Sequence, residues 1–292
     1  MRNRTASDGV ITCVALMFLT ASPALAQKKV TPRAARVTTT TVTTTATAGR
    51  TSLPITFGSW LDDASTLAPG TASLSVSAGR WSARDGGQTD APVFDLSAGV
   101  SKRVQLGLSV PFYHASYSDG FTSSGRGDIY ATAKIKLVSA DDHRVGLSMS
   151  PLIEVLSDVA LSDTTLGLNR VNWALPVSVQ AGTRTTQAFV TAGYFSRGAT
   201  FAALGVTHAM SGTVTLSSSL TVSHSTKALS STDLAGLSRS RADGTIGLSV
   251  MVSPRVGLSG NIGRTVSKLD QNGATFTASG AISVQFGHPR HP

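Results

Sequence analysis

Two side chains in the 292-residue sequence have the types and spacing of a nucleophile and its base: Ser116 and His114. An imidazole beside a hydroxyl group can remove its proton and activate the oxygen for attack on a carbonyl carbon. No acid or amide that would orient His114 is evident near it, and the chain contains no G-x-S-x-G, HExxH or phosphate-loop motif. We therefore predict no catalytic residues, no metal site, no cofactor and no enzyme activity, and rank a hydrolase third among the hypotheses.

A second set of polar side chains alternates with apolar ones along the chain. If these segments are strands of a closed sheet, the polar side chains face its interior. Such groups either form a polar path for solutes or pair with one another to satisfy their hydrogen bonds. The sequence leaves both alternatives open. The candidate lumen-lining residues are Asp95, Gln105, Asp128, Tyr130, Lys134, Lys136, Glu154, Asn172, Gln180, Asn261 and Gln285.

Charges within this set are distributed unevenly along the predicted strands. Pairing the fourth and fifth strands places Glu154 near Asp128 and Tyr130 at the outer mouth, with Lys134 and Lys136 deeper. No acid is predicted at the depth of the two lysines. They are therefore expected to be uncompensated and to give a mild preference for anions, which weakens as salt rises.

The elements that must position these residues are strands, because apolar residues alternate with small or polar ones beyond Gly70. The run from Val104 to Phe112 shows the pattern clearly, and twelve such strands can be counted. Strands of about ten to thirteen residues exceed the usual five or six but match the length that crosses a bilayer at a tilt. Short turns alternate with longer polar loops, the first of which is expected at 84–91.

Lipid cannot hydrogen-bond a peptide group, so a spanning sheet must close on itself and present apolar side chains outward. The sequence thus predicts an all-β fold, a transmembrane antiparallel up-and-down β-barrel of about 12 strands. Trp81 is out of phase by one, which indicates a bulge near Gly79 or a shifted register. Five aromatic residues in the outward phase are expected to form an interfacial girdle near the long-loop ends: Phe94, Phe112, Trp173, Tyr194 and Phe276.

Composition favours this barrel over the alternative, a soluble β-sandwich. Charged residues make up 14% of the chain, about half of the roughly 25% found in soluble domains. A sandwich would also have shorter strands, with Lys and Glu on its exposed faces. Cys13 stands alone, which excludes a disulfide scaffold.

The chain is expected to be exported to the cell outer membrane. Arg2 and Arg4 precede an apolar stretch, and 24–26 reads Ala-Leu-Ala, so residues 1–26 are predicted to be a cleaved signal peptide. The formal net charge of +9 invites a nucleic-acid partner, but export argues against one. The expected partners are outer-membrane lipid and a small-molecule solute of unspecified identity, and no oligomeric state is predicted.

Three further segments follow the signal peptide. Residues 27–69 form a predicted flexible, basic, Thr-rich leader, because the tract 38–47 contains eight threonines and too little apolar area to offset chain entropy. The barrel is expected over 70–287, followed by a C-terminal tail over 288–292.

Part of the sequence resembles a known family. The run from Val104 through Pro111-Phe112-Tyr113, and then Gly127-Asp128-Ile129-Tyr130 leading into Lys134-Ile135-Lys136-Leu137, is similar to the outer-membrane barrels named after the meta-pathway of phenol degradation. The similarity extends from about Gly70 to Phe286, and its distinctive part is the Gly-Asp-x-x-x-x-x-Lys hairpin. The sequence departs from these proteins in its Thr-rich leader and in its ending, which does not finish on an aromatic residue.

This transporter-like family implies a twelve-stranded barrel that admits small, often aromatic, compounds, and it brings no catalytic residues. We therefore predict a passive pore or uptake channel for small molecules, with aromatic or hydrophobic compounds as candidate solutes. The second hypothesis is a non-conducting structural or surface-binding barrel. The third is a hydrolase at the lipid face.

Overall fold

A computed structural model of the chain describes residues 42–44, 55–57, 63–84, 86–118, 120–140, 145–158, 169–226, 239–269 and 273–287. The predicted signal peptide and C-terminal tail lie outside the described residues. The described part contains no helix that is long and apolar enough to cross a membrane. Its strands are β1 (Val42–Thr44), β2 (Ile55–Phe57), β3 (Thr71–Ala83), β4 (Gly86–Gly99), β5 (Val104–Tyr117), β6 (Thr122–Arg126), β7 (Ile129–Val138), β8 (Val145–Met149), β9 (Leu152–Val155), β10 (Val171–Gly182), β11 (Thr186–Phe195), β12 (Ala199–Ala209), β13 (Val214–Ser225), β14 (Ser240–Ser253), β15 (Val256–Thr265) and β16 (Phe276–Gly287).

One antiparallel sheet contains every strand from β3 to β16, while β1 and β2 pair only with each other. The sheet closes, because β16 pairs with β3 at one seam and β5 pairs with β7 at the other. β6 and β7 are two parts of one wall strand, since both pair with β5. β8 and β9 are likewise joined, since both pair with β7 and β10. With these two mergers the fourteen strands give twelve, which confirms the predicted up-and-down barrel.

The connections at one end of the barrel are all short, as the sequence predicts, but only three of the six at the other end are long, so the predicted strict alternation is not found. The short-turn end of the barrel carries the connections 100–103, 139–144, 183–185, 210–213 and 254–255. The long-loop end carries 84–85, 118–121, 156–170, 196–198, 226–239 and 266–275. The long loop expected at 84–91 is wrong. β4 already begins at Gly86 and continues the sheet, because it pairs with Ala83 of β3 and Tyr117 of β5.

The two faces of the wall have the opposite polarity to those of a soluble protein. On β5, Leu106 and Leu108 point outward and are 49% and 42% exposed, while Gln105 and Ser109 point inward and are buried. The same alternation runs along β10, whose exposed valines are interleaved with buried polar residues. Apolar side chains outside and polar ones inside are what a sheet between lipid and an aqueous interior requires.

A bulge in β4 explains why Trp81 falls out of the alternation that the sequence predicts. Asp90 and Val93 of β4 pair with Gly79 and Ser77 of β3, so two β4 residues face a single β3 residue. The irregularity thus lies next to Gly79, as predicted, but the extra residue belongs to β4. β3 keeps its alternation, and Trp81 faces inward with its indole nitrogen buried.

Candidate pore-lining site

Directly paired inward residues form a continuous line across seven neighbouring wall strands. Each strand contributes one residue, because alternate residues of a strand face the same side of the sheet. All of these residues are buried, at 9% exposure or less. This polar row consists of Ser283, Ser75, Asp95, Ser109, Tyr130, Glu154 and Asn172.

The polar row climbs obliquely along the barrel wall to the long-loop end. Ser283 lies four residues before the end of β16, at the short-turn end. Asn172 is the second residue of β10, at the long-loop end. The strands of a closed barrel tilt by about 35–45° from its axis, so a line perpendicular to them climbs obliquely. The row therefore carries polar side chains from four residues inside the short-turn end up to the long-loop end of the wall.

Glu154 is the centre of a hydrogen-bonded cluster at the long-loop end. The Tyr130 hydroxyl donates to Glu154 Oε1 at 2.9 Å, and Asn172 Nδ2 donates to Oε2 at 3.3 Å. Arg197 Nε donates to Glu154 Oε2 at 2.7 Å, and its Nη2 contacts Oε1. The same Nη2 lies 3.7 Å from Asp128 Oδ2. These five residues, termed the outer cluster, include the three that the sequence places together at this mouth.

Sequence reasoning missed Arg197, which lies in the brief connection 196–198. This connection turns the guanidinium group back over the barrel wall, where its Cζ lies 5.2 Å from the ring centroid of Phe195. A cation at this distance from a ring is attracted by the negative face of the π system. The signal that could have identified Arg197 is the pair of inward acids without a predicted base at their depth.

Lys134 has a counter-ion, contrary to expectation. Its Nζ lies 3.2 Å from Asp63 Oδ1, and both side chains are almost fully buried. The expectation of two uncompensated lysines is therefore wrong for Lys134, while Lys136 forms no ion pair with a described residue. The comparison of neighbouring strands could not show this bond, because Asp63 precedes the first wall strand.

Residues 63–70, termed the inner segment, pack inside the barrel at its short-turn end. The Ala64 amide donates to Gln180 Oε1 at 3.1 Å, and the Leu67 amide donates to Gln105 Oε1 at 2.8 Å. The side chains of Ala64 and Leu67 are buried. This last part of the predicted leader is therefore held by inward groups of the wall, rather than free as a flexible leader would be.

The predicted lumen candidates all occupy inward positions on the wall. Nine of them are buried, whereas Lys136 and Gln285 are partly exposed. The buried candidates are Asp95, Gln105, Asp128, Tyr130, Lys134, Glu154, Asn172, Gln180 and Asn261. Asn261 Nδ2 donates to Ser279 Oγ at 2.7 Å.

The five predicted girdle aromatics lie exposed on the outer face, between 39% and 52%. Trp173, Tyr194 and Phe276 lie within two residues of the long-loop end of their strands. Phe94 and Phe112 lie farther along β4 and β5, because these strands extend beyond the predicted loop boundaries. Their rings meet edge to face at 6.4 Å.

Other inward acids form hydrogen bonds with neighbouring side chains, but the acid in the middle of the polar row has an oxygen that does not. Arg241 Nε donates to Asp243 Oδ1 at 2.8 Å, and Gln88 Nε2 donates to Asp90 Oδ1 at 2.6 Å. In contrast, the buried Asp95 Oδ2 has no hydrogen-bond partner among the described residues. The polar row is therefore bonded internally at its ends and unsatisfied at its centre.

His114 and Ser116 lie on the outward phase of β5 and are exposed. Within the described part of the chain, no acid or amide side chain hydrogen-bonds to His114. The pair therefore has no third group to orient the imidazole, which a nucleophile activated by a base needs.

No family model matches the sequence, and no curated protein sequence matches it either. Solved structures do match. An outer membrane channel from Pseudomonas putida is 14% identical with a TM-score of 0.58, and the match covers 77% of this chain and 98% of that chain. The NanC porin is 11% identical with a TM-score of 0.51, and the match covers 72% of this chain and 98% of that one. At these identities the likeness concerns the fold, and the chain has the fold of outer-membrane β-barrel channels.

Proposed function

We propose that this chain forms a passive pore for small molecules in a bacterial outer membrane. The observation that carries the proposal is the polar row, which climbs along the inside of a closed wall to the long-loop end, behind an apolar outer face. Outer-membrane barrels place short turns on the periplasmic side and longer loops outside. On that orientation the outer cluster lies at the external mouth and the inner segment lies at the periplasmic mouth.

The interior favours small solutes that can exchange hydrogen bonds with the wall. A twelve-stranded barrel is narrower than a sixteen-stranded porin, which limits the size of the solute. The resemblance to the phenol meta-pathway family adds aromatic compounds as candidates. Their proposed contact is an inward patch that Leu152, Ala174 and Phe195 form around Tyr130 of the polar row.

Liposome swelling with solutes of increasing size tests the pore directly. We expect swelling with the purified wild-type protein, slowed by Ser109→Trp, because an indole at the polar row narrows the passage. Ser116→Trp is the matched control, since residue 116 lies seven positions along the same strand and faces outward. A folded wild type that gives no swelling with any solute would contradict the pore.

The second candidate, a non-conducting barrel, is favoured by the inner segment, which occupies part of the interior at the short-turn end. The two candidates differ in one measurement. A pore conducts ions in planar bilayers with the inner segment present, whereas a closed barrel conducts only after residues 27–70 are removed, or not at all.

A further inference from the structure

We infer that Asp95 forms a binding site for a monovalent cation at the centre of the polar row and makes the pore cation-selective. The inference rests on the proposed pore and names the charge of the solute that its interior prefers. The side-chain hydrogen bonds along the polar row are interrupted in its middle. Ser283 Oγ donates to Ser75 Oγ at 3.2 Å at one end, and the outer cluster satisfies the other end.

Asp95 lies in this interruption. Its direct cross-strand neighbours are Ser75 and Ser109, and its Oδ2 is buried without a hydrogen-bond partner among the described residues. Asp95 is 91% buried, as its exposure is 9%. A buried carboxylate without a counter-charge is costly, so such a group takes up a cation or a proton.

The surroundings of Asp95 suit a cation. Four of the five inward positions beside it on β3 and β4 are serines, whose short side chains leave room and offer hydroxyl oxygens, and the fifth is Val93. The serines are Ser73, Ser75, Ser77 and Ser97. Carboxylate and hydroxyl oxygens are hard ligands of the kind that hard cations prefer. No lysine or arginine faces inward on the described parts of β3, β4, β5 or β16.

The nearest inward lysine cannot neutralise Asp95. Lys134 lies on β7, where the polar row is occupied by Tyr130, four residues away along the strand. Its ammonium group is already bonded to Asp63. The Asp95 carboxylate therefore has no fixed cation in the described part of the chain, and a mobile cation is the group that completes the site.

The net charge of the interior also favours cations. Among the described inward side chains, carboxylates outnumber cations: Asp63, Asp90, Asp95, Asp128, Glu154 and Asp243 face Lys134, Lys136, Arg197 and Arg241. A narrow interior with excess negative charge attracts cations and repels anions.

The reversal potential in a KCl gradient across a planar bilayer tests the site. We expect the wild type to prefer potassium over chloride, and Asp95→Asn to lower that permeability ratio by about threefold or more, because the amide removes the charge at nearly constant shape. Asp158→Asn is the matched control, since Asp158 is an exposed acid outside the wall strands and its change leaves the interior charge intact. Asp95→Ser, which copies the neighbouring serines, provides a second variant if the asparagine protein does not fold.

The outcomes separate the two proposals. A folded wild type without conductance overturns both the pore and the cation site. Conductance with the same permeability ratio in wild type, Asp95→Asn and Asp95→Ser overturns the cation site alone, and this is also the result if Asp95 is held neutral by a proton.

Discussion

At the outer mouth, one carboxylate holds three side chains from three different parts of the chain. Glu154 accepts hydrogen bonds from Tyr130, Asn172 and Arg197, and its side chain is 1% exposed. Removing one partner of a buried ion pair leaves the other charge without compensation, which typically costs about 3–5 kcal/mol. Since Arg197 is 22% exposed and its Nη2 still lies 3.7 Å from Asp128 Oδ2, the cost here belongs at the lower end of that range.

We therefore predict that Glu154→Ala lowers the free energy of unfolding by about 3 kcal/mol, measured by urea titration of the barrel in lipid vesicles. Arg170→Ala is the control, because its bond to Asp158 is exposed and such surface pairs contribute about 1 kcal/mol or less. Equal effects of the two substitutions would show that the outer cluster does not stabilise the wall.

The members of this cluster were not equally accessible to sequence reasoning. Asp128, Tyr130 and Glu154 follow from alternation and from the pairing of neighbouring strands, which a period of two fixes. Arg197 and Asp63 do not, because they lie outside the alternating segments, where no period indicates the direction of a side chain. Long-range ion pairs formed from connections and from the chain before the barrel were therefore the part that the sequence could not predict.

At the scale of the element, β5 separates lipid from the interior by the direction of each side chain. Leu108→Arg places a charge on the apolar outer face, which costs about 2–4 kcal/mol near the middle of a bilayer. Ser109→Arg, one residue farther on, points its guanidinium into the interior, beside Asp95. We predict that folding titrations in vesicles show the loss for Leu108→Arg only. The reverse ranking would mean that the faces of β5 are inverted.

The bulge in β4 has a signal in the sequence, which is the proline at position 92. Proline cannot donate a hydrogen bond to a sheet, so a proline inside a wall strand is a sign of a bulge. Pro92 stands in the middle of β4, between the paired residues Asp90 and Val93. Placing the bulge there, instead of a loop over 84–91, would have predicted both the length of β4 and the inward direction of Trp81.

The inner segment gives a prediction for a single glycine. The carbonyl oxygens of Leu67 and Ala68 occupy the space of a Cβ at Gly99, so Gly99→Val must displace the segment or the wall. We expect a thiol introduced by Leu67→Cys to react slowly with a polar maleimide, and quickly when Gly99→Val is added. The expected removal of Cys13 with the signal peptide leaves no competing thiol. Gly212→Val is the control, since nothing lies within 4 Å of its added Cβ. Quick labelling of Leu67→Cys alone would contradict the packing of this segment.

At the scale of the whole molecule, closure predicts how the protein behaves in extraction and electrophoresis. The sheet closes on itself, and in the described residues only the short β6 lacks a partner on one side, so almost no edge remains where unfolding could begin. We expect the protein to resist urea extraction from membranes and to migrate differently on gels before and after boiling. Mass spectrometry of the mature chain is expected to place its first residue at Gln27. Recovery as a soluble protein with one mobility would contradict the barrel.

The oblique course of the polar row gives the interior a handedness. From Ser283 to Asn172 the row crosses six of the twelve strand boundaries. In the proposed pore, a solute that moves from group to group along the row therefore also turns about half-way around the barrel axis. Its path is helical, and longer than a straight path along the axis.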